Sequence, residues 1–301
     1  MKHTHTVQAD TASLPPAKKK RSMAADVWMR LCRNKMAMIG LVILLLLVFC
    51  ALFANQLADY ETLVIKQDMS IRLQGPSAQH WLGTDEYGRD ILARLIHGSR
   101  ISLVVGLVSV TISLVIGGLC GALAGYYGGI IDNIIMRVMD VLLAVPSILL
   151  AITIVAAFGT SLFNVMVAIG MSSVPGYARI VRAAVLSIKD QEFVESSRSI
   201  GTGTLRIILR EIIPNCMAPI IVQATLGVAS AILSTASLSF IGLGVQQPVP
   251  EWGAMLSGGR TYMRDAIHLT VFPGLAIVIT VLALNLVGDG LRDALDPRLK
   301  Q

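Results

Sequence analysis

The stretch MAMIGLVILLLLVFCALFA, residues 36–54, holds nineteen consecutive residues without a charge. A bilayer core about 30 Å thick requires about 20 apolar residues in a helix, so this stretch predicts a membrane span. Other uncharged runs cover 101–131, 141–178, 212–250 and 266–288. The chain of 301 residues is only 15% charged, whereas a soluble domain carries about 25%. The sequence therefore predicts an all-α integral membrane protein that crosses the bilayer several times.

The apolar runs predict six transmembrane helices. The run 141–178 is too long for one crossing, and the turn-like FGTSLFN at 158–164 divides it into two spans. The predicted spans are 36–54, 101–125, 138–157, 163–181, 216–240 and 269–288. Six spans place both termini on the same side of the membrane.

Lys and Arg are distributed unevenly between the segments that connect the spans. Of the 25 Lys and Arg residues, 18 fall on the side of the two termini, and cytoplasmic segments are the ones enriched in these residues. We therefore expect two cytoplasmic tails, at 1–35 and 289–301, with a disordered stretch at 1–25 because it is polar and contains two prolines. Residues 55–98 then form an extracytoplasmic segment.

Two other classes of site are not predicted. The net charge is +6, but its main cluster, KKKR at 18–21, directly precedes the first span. Positive charge at that place orients a membrane protein, so we predict no nucleic-acid binding. The four cysteines are scattered without paired spacing, which supports neither a disulfide framework nor a metal site.

Three glycines in the second span recur at four-residue spacing: Gly117, Gly121 and Gly125. Small residues at this spacing let helix backbones approach closely in lipid. We predict that this face of the span packs tightly against another helix.

Residues 188–214, here called the polar segment, interrupt the apolar runs with the stretch ESSRSIGTGTLRIILREIIP at 195–214. Asp190 is predicted to cap a short helix that ends near Ile200, and Thr204 a second helix that follows the break at 201–203. The second helix is predicted to have an apolar face and a cationic face. The apolar face carries Leu205, Ile208, Leu209 and Ile212, and the cationic face carries Arg206 and Arg210. Pro214 ends or kinks this helix. Such a segment is either an ordinary connector or a docking element for a cytoplasmic partner.

The outer segment contains LGTDEYGRD at 82–90. Asp85 and Asp90 are predicted to cap a short interfacial helix that contains Ile91, Leu92, Leu95 and Ile96, while Trp81 and Tyr87 suit the membrane interface. A metal site formed by the carboxylates at 85, 86 and 90 is the alternative to capping. At the other end of the chain, Asp289, Arg292 and Asp293 are predicted to cap or pair at the end of the sixth span, and their charges indicate either a solvated terminus or a partner contact.

The polar segment resembles the EAA…G…I.LP pattern of ABC-importer permease subunits through Glu195, Gly201 and Pro214. Two serines replace the alanines, Glu211 stands where Ile is usual, and Ile213 replaces Leu. The resemblance implies a coupling loop that seats in a groove of an ATPase subunit. Its coupling residues would be Glu195, Ser196, Ser197, Gly201, Ile213 and Pro214.

Three further stretches, LGTDEYGRD, PEWGAML (250–256) and GDGLRDALDP (288–297), resemble the C-type permease of the dipeptide/oligopeptide/nickel group. The resemblance implies a type I ABC importer permease fold, with the transmembrane type-1 domain over 99–288, in a bacterial inner membrane. It also implies a homologous second permease, two cytoplasmic ATPase subunits, an extracytoplasmic solute-binding protein and no cofactor. The face toward the binding protein would carry Gly83, Thr84, Asp85, Gly88, Arg89, Asp90 and Trp252.

Rival functions lack the residues that they require. A secondary transporter needs ionisable residues near mid-membrane, whereas Asp140 and His268 lie at the edges of the predicted spans. His268 has no evident partner serine for a protease, and no phosphate-binding G-x-x-x-x-G-K-[ST] is present. We therefore expect a non-catalytic subunit that transports peptides, with a nickel chelate or glutathione as alternative cargo.

Overall fold

The computed structural model describes residues 23–295 and contains helices joined by turns. The helices are α1 (Met23–Arg33), α2 (Lys35–Leu52), α3 (Ala54–Leu57), α4 (Ile91–Tyr127), α5 (Gly129–Ala144), α6 (Ser147–Phe158), α7 (Leu162–Leu186), α8 (Glu192–Ser199), α9 (Thr204–Ile207), α10 (Ile213–Asn215), α11 (Met217–Phe240), α12 (Trp252–Gly259) and α13 (His268–Leu295). Within the described range no strand forms, and one isolated β-bridge joins Thr84 to Asp90.

The expected all-α membrane architecture is confirmed. Four helices, α2, α4, α11 and α13, are long and apolar enough to cross a bilayer, and the bent pair α5 and α6 can form a fifth span. The remaining predicted span corresponds to α7, which has 25 residues but carries Arg179 and Arg182 near its end. Six crossings therefore stay a prediction.

Helix α4 is longer than predicted and begins ten residues earlier. The Asp90 carboxylate accepts a hydrogen bond of 2.7 Å from the Ala93 amide and so caps the helix. The predicted short interfacial helix is thus the first part of α4, and the prediction that Asp85 caps it is wrong. With 37 residues, α4 is about 55 Å long, which exceeds the bilayer core.

The third predicted span, 138–157, is not one helix. It consists of α5 and α6, which meet at an angle of 88°. The break lies at Val145 and Pro146. Proline has no N–H for a helical bond and disfavours helical geometry in the residue before it, which favours a break at this point. The predicted turn at 158–164 is confirmed, because α6 ends at Phe158 and α7 begins at Leu162.

The centre of the fold is the parallel pair α4 and α7, whose contacts advance together from Ser109 and Met166 to Gly125 and Val185. At Gly117 a side chain would lie 2.5 Å from the Val174 carbonyl oxygen, and at Gly125 it would lie 2.9 Å from Val185 Cβ. At Gly121 a side chain would collide with the Ala178 carbonyl. The predicted close packing of this glycine face is therefore confirmed.

Both ends of the chain are more helical than predicted. Helix α1 occupies part of the predicted tail, with Leu31 buried against Gly290 of α13. Helix α13 continues to Leu295, beyond the predicted end at 288. The predicted disorder at 1–25 lies mostly outside the described residues, as does the end of the C-terminal tail, 296–301.

Candidate functional site

The polar segment folds into α8, α9, a π-helical stretch Ile208–Ile212 and α10. The predicted caps are wrong. Gln191 precedes α8 and makes no side-chain capping hydrogen bond, and Gly203, which precedes α9, has no side chain to cap with. Asp190 lies before the cap position, and Thr204 is the first residue of α9. Acidic residues Glu192 and Glu195 in the first turn of α8 favour its start through the helix dipole.

Gly201 ends α8 in a Schellman turn. Its amide donates to the Arg198 carbonyl at 3.0 Å, and the Thr202 amide donates to the Ser197 carbonyl at 3.1 Å. The φ angle of Gly201 is +80°, a conformation that side-chain-bearing residues rarely adopt, although a Cβ atom at this position would have no neighbour within 4 Å. Gly201 thus fixes the direction in which the chain leaves α8.

One face of the polar segment is buried in the bundle. Val194, Ile207, Ile208 and Ile212 pack against residues of α4 and α7, including Ala122, Val181 and Val185. The predicted apolar face was partly wrong, because Leu205 and Leu209 are 70% and 51% exposed. The π-helical stretch shifts the register, and Ile207 takes a buried position instead.

The opposite face is a surface of exposed apolar and cationic groups. A groove of about 710 Å³ runs along it, lined by Gly203, Thr204, Leu205, Arg206, Leu209 and Arg210. Ile200, at the turn beside it, is 82% exposed. Exposed apolar residues clustered in this way mark an interaction surface.

The predicted coupling residues lie at different places on the polar segment. Glu195, Ser196 and Pro214 are exposed, whereas Ser197 and Ile213 are half-buried. Ser197 supplies a carbonyl to the Schellman turn, and Ile213 and Pro214 belong to α10. The Arg198 guanidinium lies 5.7 Å from the ring centroid of Tyr126 on α4, a contact that sequence reasoning missed.

Two buried arginines of the outer segment are surrounded by polar side chains, and the group is here called the arginine cluster: Asp85, Glu86, Arg89, Arg94 and Gln247. Asp85, Arg89 and Arg94 are buried, Glu86 is half-buried, and Gln247, from the loop after α11, is exposed. Asp85 binds Arg89 Nε at 2.7 Å, and Arg94 Nε lies 3.4 Å from the same carboxylate. Arg89 Nη2 donates to Gln247 Oε1 at 2.9 Å, and Gln247 donates to Glu86 at 3.0 Å. The cluster joins the loop before α4 to the loop after α11.

The arginine cluster is held in place by backbone groups as well. Arg94 Nη1 donates to the carbonyls of Val64 and Pro248, at 3.0 and 3.3 Å. Arg89 and Arg94 are only 2% and 1% exposed. Because buried charges require partners, these contacts fix three separate loops around the two guanidinium groups.

The other predicted residues of the outer face shape the loop at 82–90. Thr84 Oγ1 donates to the Ile71 carbonyl, and Asp90 binds His80 Nδ1 at 2.8 Å in addition to capping α4. Gly83 and Gly88 have φ angles of +84° and +74° and lie against the backbone of Gln74 and Asp68. The carboxylates of the alternative metal site therefore bind protein groups: Asp85 and Glu86 within the arginine cluster, and Asp90 at α4.

Trp252 is buried rather than presented on a surface. Its indole N–H donates to the Leu95 carbonyl at 3.1 Å. The ring packs against Gly98, where a Cβ atom would lie 2.7 Å from it. Glu251 before it caps α12 by accepting from Gly253 and Ala254, both at 2.8 Å, and from Ser239. Burial raises the pKa of Glu251, against the opposing effect of these hydrogen bonds.

The residues predicted for the outer face thus have buried side chains that organise the loops. The exposed residues of the same loops include Trp81 and Met69. At the other end of the chain, Asp289, Arg292 and Asp293 lie in the last turns of α13, and no ion pair involves them among residues 23–295.

Comparisons with known proteins agree with this architecture. The family model of the binding-protein-dependent transport system inner membrane component matches residues 117–301, and the model of the N-terminal TM domain of oligopeptide transport permease C matches residues 22–76. A solved chain of the MetNI methionine ABC transporter, from an inward-facing form, aligns with a TM-score of 0.57 at 20% identity. The alignment covers 68% of this chain and 98% of that chain, and it supports the fold alone.

Curated relatives are similar over nearly the full length. The di/tripeptide transport system permease protein DppC of Pseudomonas aeruginosa (strain UCBPP-PA14) is 51% identical over 279 residues, 91% of this chain and 92% of the relative. The dipeptide transport system permease protein DppC of Alkalihalophilus pseudofirmus is 46% identical over 275 residues, 91% and 90% of the two chains. The glutathione transport system permease protein GsiD of Escherichia coli O6:K15:H31 is 48% identical with the same coverage.

The family model spans more than half of the chain, and these relatives share about half of its residues along nine-tenths of its length. The chain therefore belongs to the family of binding-protein-dependent transport system inner membrane components, as a non-catalytic C-type permease subunit of an ABC importer.

Proposed function

We propose that the chain forms half of the translocation path of an ATP-driven peptide importer in a bacterial inner membrane, with both termini in the cytoplasm. The observation that carries the proposal is the two-faced polar segment. Its buried isoleucines hold it against α4 and α7, and its other face presents the groove along α9 to the outside of the bundle. A rigid projection of this kind can transmit force from a partner to the spans.

The occupant of the groove on this proposal is a cytoplasmic ATPase subunit. Leu205 and Leu209 supply exposed apolar surface, while Arg206 and Arg210 favour an acidic rim on the partner. Two ATPase subunits serve this chain and a homologous second permease. When they close on ATP, the polar segment follows, and α7 and α11 move because they flank it.

On the outer side the partner is a solute-binding protein. The buried residues at 83–90 and Trp252 act through the shape of the loops rather than by direct contact. The arginine cluster ties the loop before α4 to the loop after α11. Docking on either loop is therefore communicated to both helices.

The cargo on this proposal is a short peptide. The relatives are named for di/tripeptides, dipeptides and glutathione, which is itself a peptide. A nickel chelate is the alternative cargo. The binding protein that accompanies the chain would distinguish these cargoes in a screen by isothermal titration against a dipeptide, glutathione and a nickel chelate.

Co-purification tests the assembly. The chain is tagged at its C-terminus and extracted gently from its native membrane, and the accompanying proteins are identified by mass spectrometry. We expect an ATPase pair and a second permease. A Leu205→Glu variant places a charge in the groove and is expected to lose most of the ATPase while keeping the second permease.

The matched control is Ser187→Glu, which adds the same charge at the exposed end of α7, outside the groove. It is expected to retain the ATPase. Isolation of the unchanged chain alone, under conditions in which a related permease keeps its partners, would refute the assembly. Equal ATPase recovery with Leu205→Glu would refute docking at the groove.

A further inference from the structure

A cavity of about 230 Å³ lies in the middle of the bundle, between α4, α7, α11 and the break that separates α5 from α6. Its lining includes residues near the centre of each long helix, such as Ser109 on α4, Ser173 on α7 and Gly227 on α11. The cavity therefore lies at the depth of the hydrocarbon core, far from both polar ends of the permease.

The lining is mixed and carries no charge. Most of its surface is apolar and comes from residues such as Val110, Leu143 and Ile169. Its polar side chains are six serines, one glutamine and one tyrosine: Ser109, Ser113, Ser147, Ser172, Ser173, Ser230, Gln223 and Tyr177. Lysine, arginine, aspartate, glutamate and histidine are all missing from the lining. Neutral polar groups within an apolar wall suit the amide groups of a ligand and offer no charged side chain to a metal ion.

Some of these polar groups are used within the protein. Ser109 Oγ donates to the Met166 carbonyl at 3.1 Å and Ser113 Oγ to the Gly170 carbonyl at 2.7 Å, so they hold α4 to α7. The Tyr177 hydroxyl donates to the Gln223 carbonyl at 3.3 Å. These contacts give the cavity a fixed wall.

Three other polar side chains of the lining make no hydrogen bond within the described part of the chain. Among the described residues, no hydrogen bond involves the hydroxyls of Ser147 and Ser173 or the side-chain amide of Gln223. An unbonded polar group in hydrocarbon is unfavourable by about 1–3 kcal/mol. Since these groups line a space rather than a packed core, water or a polar ligand must satisfy them.

The cavity opens on one side of the subunit. Ser147, Gly176 and Ser230 are exposed in the single chain, and lipid at this opening would leave the unbonded Ser147 hydroxyl unsatisfied. The volume is also below the roughly 300–1,000 Å³ of a complete ligand pocket. Both observations fit one wall of a path whose other wall is supplied by a second subunit.

We infer that this cavity is a contact site for the main chain of the transported peptide, an inference that rests on the proposed function. Hydroxyl and carboxamide groups donate and accept hydrogen bonds equally well. Ser147, Ser173 and Gln223 therefore match the N–H and C=O groups that all peptides share, whatever their side chains. The site passes short peptides without selecting among their sequences.

Photo-crosslinking in the complete transporter tests the contact directly. A small diazirine amino acid replaces Gln223 or Ser173, and the complex is reconstituted in proteoliposomes with its binding protein, ATP and radiolabelled alanyl-alanine. We expect labelled peptide on the chain at both positions. The control position is Leu107, an exposed residue on α4 outside the cavity, where no label is expected.

Transport kinetics provide the second measurement. Gln223→Met keeps the length of the side chain and removes its amide, and Ser173→Ala removes a hydroxyl. Each is expected to lower dipeptide uptake about 2–10-fold, as the loss of one hydrogen bond predicts, while the ATPase rate with loaded binding protein stays unchanged.

The outcomes separate this inference from the proposed function. If the unmodified complex imports the dipeptide but neither position crosslinks and both variants transport normally, the peptide contact is wrong and the importer assignment stands. If the unmodified complex hydrolyses ATP but imports no peptide, the proposed cargo fails, and the inference fails with it.

Discussion

Arg182 on α7 binds Asp132 on α5 through two parallel hydrogen bonds of 2.5 Å, from Nε to Oδ1 and from Nη2 to Oδ2. Helix α7 leads directly into the polar segment, and α5 leads into the break beside the central cavity. The pair therefore connects the proposed docking surface to the proposed path. Bidentate pairs of this type are both strong and geometrically specific.

Removal of this pair tests the connection. Arg182→Ala leaves the Asp132 carboxylate, whose side chain is only 14% exposed, without its partner, at a cost of about 1–3 kcal/mol. We expect peptide uptake by vesicles to fall about tenfold. Arg179→Ala is the matched control, because its pair with Asp140 is far more exposed and contributes about 0–1 kcal/mol. Equal uptake by the two variants would show that the pair of Arg182 and Asp132 does not couple the motion of α7 to α5.

The Schellman turn of the polar segment can be changed without a steric clash. Gly201→Val forces a β-branched residue to a φ angle of +80°, with a strain of about 1–3 kcal/mol. We expect normal membrane insertion but strongly reduced peptide uptake, with Gly201→Ala intermediate. Ser199→Ala is the control, since Ser199 is an exposed residue of α8 that does not line the groove. Uptake assays and immunoblots of the membrane fraction measure both effects, and normal uptake by Gly201→Val would count against a rigid segment.

The contact between α4 and α7 predicts a position-specific loss of stability. Gly121→Val places a side chain against the Ala178 backbone, and overpacking of this kind costs about 1–3 kcal/mol. We expect a lower midpoint of thermal unfolding in detergent. Gly118→Val, three residues away, meets only Leu114 at 3.9 Å and is expected to unfold at the original temperature. Identical midpoints for the two variants would be inconsistent with the packing of these helices.

Orientation is tested with single cysteines. In a variant that retains only Cys32, which is exposed on α1, a membrane-impermeant maleimide is expected to react in inverted vesicles and not in intact spheroplasts. A cysteine at the exposed position Gln79, in the cysteine-free chain, is expected to show the opposite pattern. Labelling of Cys32 from the outside would reverse the proposed topology.

The arginine cluster predicts sensitivity to loss of a single charge. Asp85→Asn removes the negative charge that neutralises the two buried guanidinium groups of Arg89 and Arg94. Breaking a buried ion pair costs about 3–5 kcal/mol. We expect faster cleavage of the outer loops by added protease and less protein in the membrane. Asp68→Asn is the control, because Asp68 is exposed and its side chain binds only nearby Ser70. Protease resistance equal to that of the unchanged chain would contradict the structural role of Asp85.

The sequence predicted the features that depend on composition and local turns. Uncharged runs of membrane length located α2, α11 and α13, and the spacing of Gly121 and its neighbours indicated a helix contact. The break at Pro146 was missed because the flanking residues are as apolar as those of a continuous span. The exposure of Leu205 was missed because helical periodicity assumes 3.6 residues per turn, which the π-helical stretch does not keep.

The outer residues were assigned to a surface because the family resemblance implies that this face meets a binding protein. Their burial depends on partners that are remote in the sequence, such as Gln247 for Arg89. No local pattern contains that information. For the same reason the central cavity could not be predicted, since its lining comes from five separate helices, α4, α5, α6, α7 and α11.

The arginine cluster also has a consequence for biosynthesis. Gln247, a partner of Arg89, lies 158 residues later in the chain. At a synthesis rate of about 5–20 residues per second, the ribosome therefore makes Gln247 roughly 8–30 s after Arg89. During this interval Asp85, four residues before Arg89, can already pair with it. The contact with Gln247 forms only after α11 has been synthesised, so the outer loops are joined late in the assembly of the permease.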